Sequence, residues 1–275
     1  MTLRNFQAQI WRWYRMHGRH GLPWRKFPRS LPAGRQAYRI LVSEVMLQQT
    51  QVSRVLKKYP QFLAAFPSIR ALDRAPLAKV LGTWQGMGYN RRALYLKRLA
   101  HIVCDEFGGN IPEDPDVLCR LPGVGAGTTG AICAFTFGKR VAFIETNIRR
   151  TYLHHFFPGR RDVSDTTLLV KIAATLPRKN IREWYYALMD YGAQGLKHVL
   201  NANRASAHYT RQSVFKGSRR ELRGRVMAEV VRRGSVAKPE LQRGIKDRRS
   251  AEVLTMMQEE GLVICSKNRI ALPVL

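Results

Sequence analysis

The string LPGVGAGTTGAI at residues 121–132 constrains the fold more than any other stretch. Within it, GAGTTG (125–130) matches the G-x-G-x-x-G dinucleotide fingerprint, and Glu145 follows where an acidic ribose ligand would stand. A dinucleotide loop must leave a β-strand and open a helix that packs on a parallel sheet. The preceding residues, PDVLCRLPGV, are helix-like and interrupted by Pro122. Strand–helix alternation is missing along the chain, where only RVAFIE (140–145) looks strand-like, so a doubly wound sheet and a small-molecule dehydrogenase are excluded. A Walker loop is excluded too, because no G-K-[ST] follows. The string fits a helix ending near Arg120, a Gly-Val-Gly turn, and a second helix from around Thr128. Backbone N–H groups of such a turn and of the second helix's first residues can hold an anion.

Charge decides which anion. Lys and Arg number 47 against 19 acids in 275 residues, a net charge of +28. That excess points to nucleic acid before an anionic membrane, so the turn is expected to grip a DNA phosphate and not a free nucleotide. The apolar fraction of 45% predicts a folded chain, and no apolar run of membrane-spanning length occurs. The first 24 residues lack a secretory apolar block, so a cytoplasmic, nucleoid-associated protein is expected. Cys104, Cys119, Cys133 and Cys265 form no C-x-x-C pair. They read as reduced, mostly buried residues, with no metal site and no cofactor.

Periodicity predicts an all-α arrangement for most of the chain. Residues 3–17 place Phe6, Ile10, Trp13 and Tyr14 on one helical face. The run AYRILVSEVMLQQTQVSRVLKKYPQFLAAF reads as two helices breaking near Pro60, and shorter helices continue to residue 200. Residues 201–219 are basic and poor in large apolar residues, which reads as a linker over a surface, DNA included, or as a solvated tether. From 220 to 275, three short helices and a hairpin about SKN follow the winged-helix order. Such a unit serves DNA or another protein. The expected organisation is therefore a domain at 1–200, a linker at 201–219 and a winged-helix-like α+β domain at 220–275.

In order, GLPW (21–24), LVSEVMLQQTQV (41–52), WQGMGYNRRA (84–93), LPGVGAGTTGAI (121–132) and ALMDYGA (187–193) resemble adenine-DNA glycosylases of the MutY type. These lie within the helix-hairpin-helix glycosylase superfamily. The resemblance covers roughly residues 3–197 and implies a two-lobed helical domain that extrudes a base from duplex DNA. It implies Glu44 as the general acid on adenine N7, Glu145 as the carboxylate that stabilises the sugar cation, and Asn147 retained beside it. Gln48 and Gln49 match residues that fill the base stack, and Tyr89 matches a wedge near the opposite base. Arg25 and the hairpin residues Leu121, Gly123, Val124, Gly125, Gly127 and Thr128 are expected against DNA. The proton requirement stands on its own chemistry, since adenine anion leaves poorly and Leu41, Val42, Val45, Met46 and Leu47 can keep a carboxyl protonated.

Five departures shape the expectation. The family aspartate is Glu145 here, one methylene longer, with a structural ion pair to Arg149 as its alternative role. The lysine that bifunctional relatives use as an amine is Gly127, which predicts base removal without strand cleavage. The cysteines that bind an iron–sulfur cluster after DYGA in most relatives are absent, as is the domain that reads 8-oxoguanine, and the usual GYY reads GYN. The resulting expectation is a monomeric, monofunctional glycosylase acting on damaged or mismatched double-stranded DNA. It would remove adenine opposite 8-oxoguanine or guanine. A uracil or thymine mismatch glycosylase and a non-catalytic DNA-binding protein remain alternatives.

Overall fold

The computed structural model describes residues 1–28, 30–210 and 214–274. In chain order the first helices are α1 (Leu3–His17), α2 (Ala33–Leu47), α3 (Val52–Ala65), α4 (Ile69–Arg74), α5 (Leu77–Trp84) and α6 (Arg91–Glu106). They are followed by α7 (Pro115–Arg120), α8 (Ala126–Phe137), α9 (Thr146–Phe156), α10 (Asp165–Thr175) and α11 (Ile181–Asp190). A π-helical turn (Tyr191–Gly195) and a 3-10 turn (Ala202–Ala205) lead to α12 (Arg219–Arg233), β1 (Ser235–Ala237), α13 (Lys238–Ile245), α14 (Ser250–Glu259), β2 (Ile264–Cys265) and β3 (Arg269–Ala271). The protein is mostly helical, as its periodicity predicts, with one small antiparallel sheet ordered β1-β3-β2 among the described residues.

The chain divides into two compact units, each assembled from separated segments. The first contains Met1–Ile40, Glu113–Arg120 and Val124–Arg211. Its core is aromatic. Phe6, Ile10 and Tyr14, one helical turn apart on α1, are buried, and the Phe6 ring lies 5.2 Å from Tyr152 and 6.0 Å from Trp184. Trp13 falls at the edge of that stripe and is only partly buried, edge-on to Tyr191. The stretch 140–145, strand-like in sequence, is irregular: the Val141 N–H donates to the Lys139 carbonyl at 3.0 Å and the Val141 carbonyl accepts the Tyr185 hydroxyl at 2.5 Å. Phe143 fills the space over Gly130, where a Cβ would overlap its ring. The expected linker also starts with fixed structure. The Val163 N–H donates to the Ala205 carbonyl and the Ala207 N–H to the Val163 carbonyl, with Asn203 and Ser206 buried. Residues 211–213 of that linker lie outside the described residues.

The second unit contains Leu41–Pro112, Leu121–Gly123 and Gln212–Leu275. Pro60 does not break a helix there; it sits inside α3, on an exposed face where the carbonyl it deprives can meet water. The break falls at Gln48–Gln51, where Gln49 takes a left-handed φ of 51°. The C-terminal elements form the expected three helices and hairpin, plus one strand, β1, that the sequence did not disclose. β1 pairs with β3 through Val236 opposite Ile270, and both are buried. This small α+β region is packed on α5 and α6. Glu260 binds Arg223 of α12 and, at 3.5 Å, Arg91 of α6, while Val231 touches the bare face of Gly82.

Candidate active site and nucleic-acid interface

In the second unit Glu44 sits half-buried on α2, where its chain neighbours Leu41, Val42, Val45 and Met46 are buried and Leu47 is half-buried. A helix leaves its last carbonyls without partners. Here Arg92 supplies them. Its guanidinium donates to the carbonyls of Val45 (2.8 Å), Met46 (2.9 Å) and Gln48 (2.6 Å), to Thr50 Oγ1 (2.9 Å), and to the carbonyls of Met87 and Gly88 (both 3.3 Å). Burial in this cage of oxygens lowers the Arg92 pKa to about 10.

One side chain thus fixes two loops, that of Gln48 and Gln49 and that of Tyr89. Tyr89 also adopts a left-handed φ, 47°, and its ring centroid lies 5.4 Å from the Arg92 guanidinium carbon. A bulky residue held there signals a constrained position. Gln48 Nε2 in turn donates to the Gly123 carbonyl at 3.3 Å, and Gly123 has a φ of 77° close against Tyr95. Four of the expected DNA-facing residues, Gln48, Gln49, Tyr89 and Gly123, are therefore brought together in this unit.

The hairpin has the anticipated form. α7 ends at Arg120, Leu121 and Val124 anchor the turn by burial, and Gly125 caps α8 in an extended conformation. The helix opens at Ala126, two positions before the expected Thr128, so Gly127 and Thr128 lie in its first turn. The first intrahelical acceptor, the Gly125 carbonyl, is taken by the Thr129 N–H at 2.9 Å, so the helix's N-terminal end begins at this turn. Gly127 is closely approached as well: a Cβ there would stand 3.1 Å from the Ile144 carbonyl oxygen.

Glu145 caps α9. Its carboxylate accepts from the Asn147 N–H at 2.8 Å and from the Asn147 side-chain amide at 3.1 Å. The side chain, one methylene longer than the family aspartate, folds onto its own helix end. Burial raises the Glu145 pKa above the ordinary carboxyl value, although the Asn147 and Ile148 N–H groups, the Asn147 amide and the Arg149 charge pull it down. Arg149, the alternative ion-pair partner, is turned to Asp165 instead, through three bonds of 2.7, 2.8 and 3.3 Å, and its charge acts on Glu145 from a distance. Gly192 of the DYGA string explains how Asn147 is placed, since any Cβ at 192 would overlap the Asn147 carbonyl.

Arg25 corrects the expectation. Its side chain is almost wholly buried, gives two bonds to Asp190 (2.7 and 2.9 Å), and stacks 4.3 Å over the Tyr186 ring, so it is engaged in the core and not presented to DNA. Arg19 adds its backbone N–H and Nε to the same carboxylate, each at 2.7 Å. Burial would raise the Asp190 pKa, but Arg25 and Arg19 together hold it below the usual carboxylate value.

The sequence reading missed Asp190, although it stands inside the quoted DYGA string. It also missed Arg92, which had a visible signal: it occupies the apolar stripe of α6 with Leu96, Leu99 and Val103 at helical spacing. Of the four cysteines only Cys133 is buried, and Cys119 is exposed, against the expectation of mostly buried thiols. Among the described residues no cluster of His, Cys, Asp or Glu is arranged for a metal, and no helix is long and apolar enough to cross a membrane.

Residues 42–173 match the family of HhH-GPD superfamily base excision DNA repair proteins, and the chain belongs to the helix-hairpin-helix glycosylase superfamily. Within it the resemblance is to MutY-type enzymes. The chain is 34% identical over 194 residues to the adenine DNA glycosylase of Buchnera aphidicola subsp. Baizongia pistaciae, covering 70% of this chain and 53% of that protein. With the adenine DNA glycosylase of Mycolicibacterium smegmatis it shares 36% over 187 residues, 68% of this chain and 61% of the relative. The chain thus spans between about half and three fifths of these curated relatives' length.

Among solved structures, a thermostable thymine-DNA glycosylase aligns with a TM-score of 0.60 and 25% identity, covering 70% of this chain and 86% of that one. A non-covalent endonuclease III–DNA complex aligns at 0.56 and 18% identity over 72% and 88%, and shares the fold. The iron–sulfur cluster expected of most such relatives does not fit here. After Ala193 the chain carries no thiol before Cys265, and Arg150 holds the segment by donating to the carbonyls of Leu196 (2.6 Å) and Val199 (3.1 Å).

Proposed function

We propose that the protein is a monofunctional DNA glycosylase that removes adenine opposite guanine or 8-oxoguanine in double-stranded DNA. It acts as a monomer in the cytoplasm, on the nucleoid. Glu44 protonates adenine N7, the C1′–N9 bond breaks with its electrons going to the base, and Glu145 stabilises the sugar cation until water adds. The observation that carries the reading is the Glu145 carboxylate. It is held by two N–H donors of Asn147, its pKa is raised by burial, and Arg149 is committed elsewhere. A carboxylate kept from water in this way is stabilised by a cation forming beside it.

Gly127 offers no amine, so no Schiff base forms and the strand stays intact. The N–H groups of the 121–128 hairpin hold a backbone phosphate, while Gln48 and Gln49 occupy the space left in the base stack and Tyr89 wedges in beside the opposite base. The test is a panel of duplexes, each with one candidate mispair, scored for released base by mass. Release of adenine by the wild type, lost in Glu44→Gln with duplex binding kept, is the expected result. Binding without release of any base would defeat the reading.

A second reading has one observation in its favour, the 0.60 TM-score to the thymine-DNA glycosylase. Release of thymine or uracil in the same panel would establish it.

A further inference from the structure

The small C-terminal region has the order in which a winged helix would present α14 to a DNA groove, but α14 is unsuited to that. Its exposed positions are Ala251, Glu252, Thr255, Gln258 and Glu259, with no basic residue among them. Glu252 pairs with Arg219 of α12 at 2.8 Å. At the C-terminal end of α14, Glu260 pairs with Arg223 and Arg91. A helix with an acidic outer face repels phosphates.

The first turn of α12 has the opposite character. Arg219 and Arg220 follow the cap Ser218, so two cations stand at the helix end where the macrodipole disfavours them. A local rule broken in this way signals a function. Arg220 Nη1 donates to the Tyr89 hydroxyl at 2.9 Å, and its guanidinium carbon lies 6.0 Å from the Tyr89 ring centroid and 5.9 Å from that of Phe215. Phe215 is 60% exposed, an unusual state for a phenylalanine, and Tyr89 is held at a left-handed φ. Three departures from ordinary local chemistry therefore meet at one exposed cluster in a strongly basic chain.

We propose that the C-terminal region reads the strand opposite the excised base through Arg220, which positions Tyr89. This rests on the assignment of Tyr89 to the opposite base in the proposed function. With Arg220 as donor, the tyrosine oxygen accepts and its own proton is directed away from the guanidinium. A hydroxyl so oriented favours an opposite base whose major-groove edge carries a carbonyl, such as guanine or thymine, over one whose major-groove edge carries an amino group, such as cytosine or adenine. The planar guanidinium also supports the ring by stacking, which a lysine cannot do.

The test uses the full chain and duplexes carrying a tetrahydrofuran abasic analogue opposite guanine, 8-oxoguanine, thymine, cytosine or adenine. Binding is read by fluorescence anisotropy. Wild type should prefer the carbonyl-bearing partners by about tenfold, near 1.4 kcal/mol. Arg220→Ala should shrink that spread to about twofold, Arg220→Lys should restore only part of it, and Tyr89→Phe should match Arg220→Ala with no further loss in the double variant.

Equal weakening on every duplex, a wild type without preference, or additive losses in the double variant would each overturn the proposal. An unchanged thermal midpoint for Arg220→Ala keeps misfolding out of the reading. Because no base is released in this assay, an inactive protein that still discriminates would sink the glycosylase reading and leave this one standing.

Discussion

Two carboxylates in the first unit, Glu145, half-buried at the start of α9, and Asp190, buried at the end of α11, are held under opposite terms. Asp190 is surrounded by Arg19 and Arg25 and held as a carboxylate below its ordinary pKa. Glu145 accepts from the N–H donors of its own helix end and one amide, with the Arg149 charge acting from a distance, and burial still raises its pKa. The first arrangement ties the 18–25 segment to α11. The second leaves a charge that the fold does not fully satisfy, which is how a reacting group differs from a structural one.

The largest effect that tests this contrast is on stability at Asp190. Asp190→Asn leaves two arginines without a counter-charge and should cost about 3–5 kcal/mol in urea unfolding. A loss below about 1 kcal/mol would mean the pair is a surface-like one. Next comes Glu145→Gln, which should slow base release by about 10²–10³-fold, while stability at neutral pH stays the same or rises. A large stability loss in Glu145→Gln would place it in the same class as Asp190.

Arg92→Lys should follow, at about 1–3 kcal/mol, because an ammonium cannot serve the carbonyls of both loops. Base release should fall with it. The smallest effect is in the pH dependence, and the two signs are opposite. Asp190 adds stability that is present above its unfolded pKa and lost as pH falls through the lower folded value. Glu145 binds its proton more tightly when folded, so its contribution weakens as pH rises from the unfolded value through the raised folded one. Unfolding curves between pH 3 and 8 should show the advantage of wild type over Asp190→Asn growing with pH. Over the same range any advantage of Glu145→Gln over wild type should grow as well.

Much of this was legible in the sequence. The helical periodicity, the Gly-Val-Gly turn and the C-terminal hairpin all came from local patterns, and local patterns are what a sequence displays. The break at Gln48–Gln51 was misplaced to Pro60 because its cause is remote: the carbonyls freed there are taken by Arg92, more than forty residues later. Arg25 was misassigned for the same reason, since an arginine beside an aromatic string looks alike whether it meets phosphate or a buried Asp190. β1 escaped notice because three residues show no alternation, and its pairing with β3 is decided more than thirty positions away. The candidate site was readable as residue types. The capping pose of Glu145 and the link from Arg220 to Tyr89 were not.

The cage around Arg92 has a consequence for anyone building chimeras from related chains. Residues 48–50 and 87–89 share a single keystone, so neither segment is a portable module. Transplanting one without the other, or without the arginine, would strand acceptors that the donor scaffold had matched. The smallest piece that can be swapped intact is the trio together.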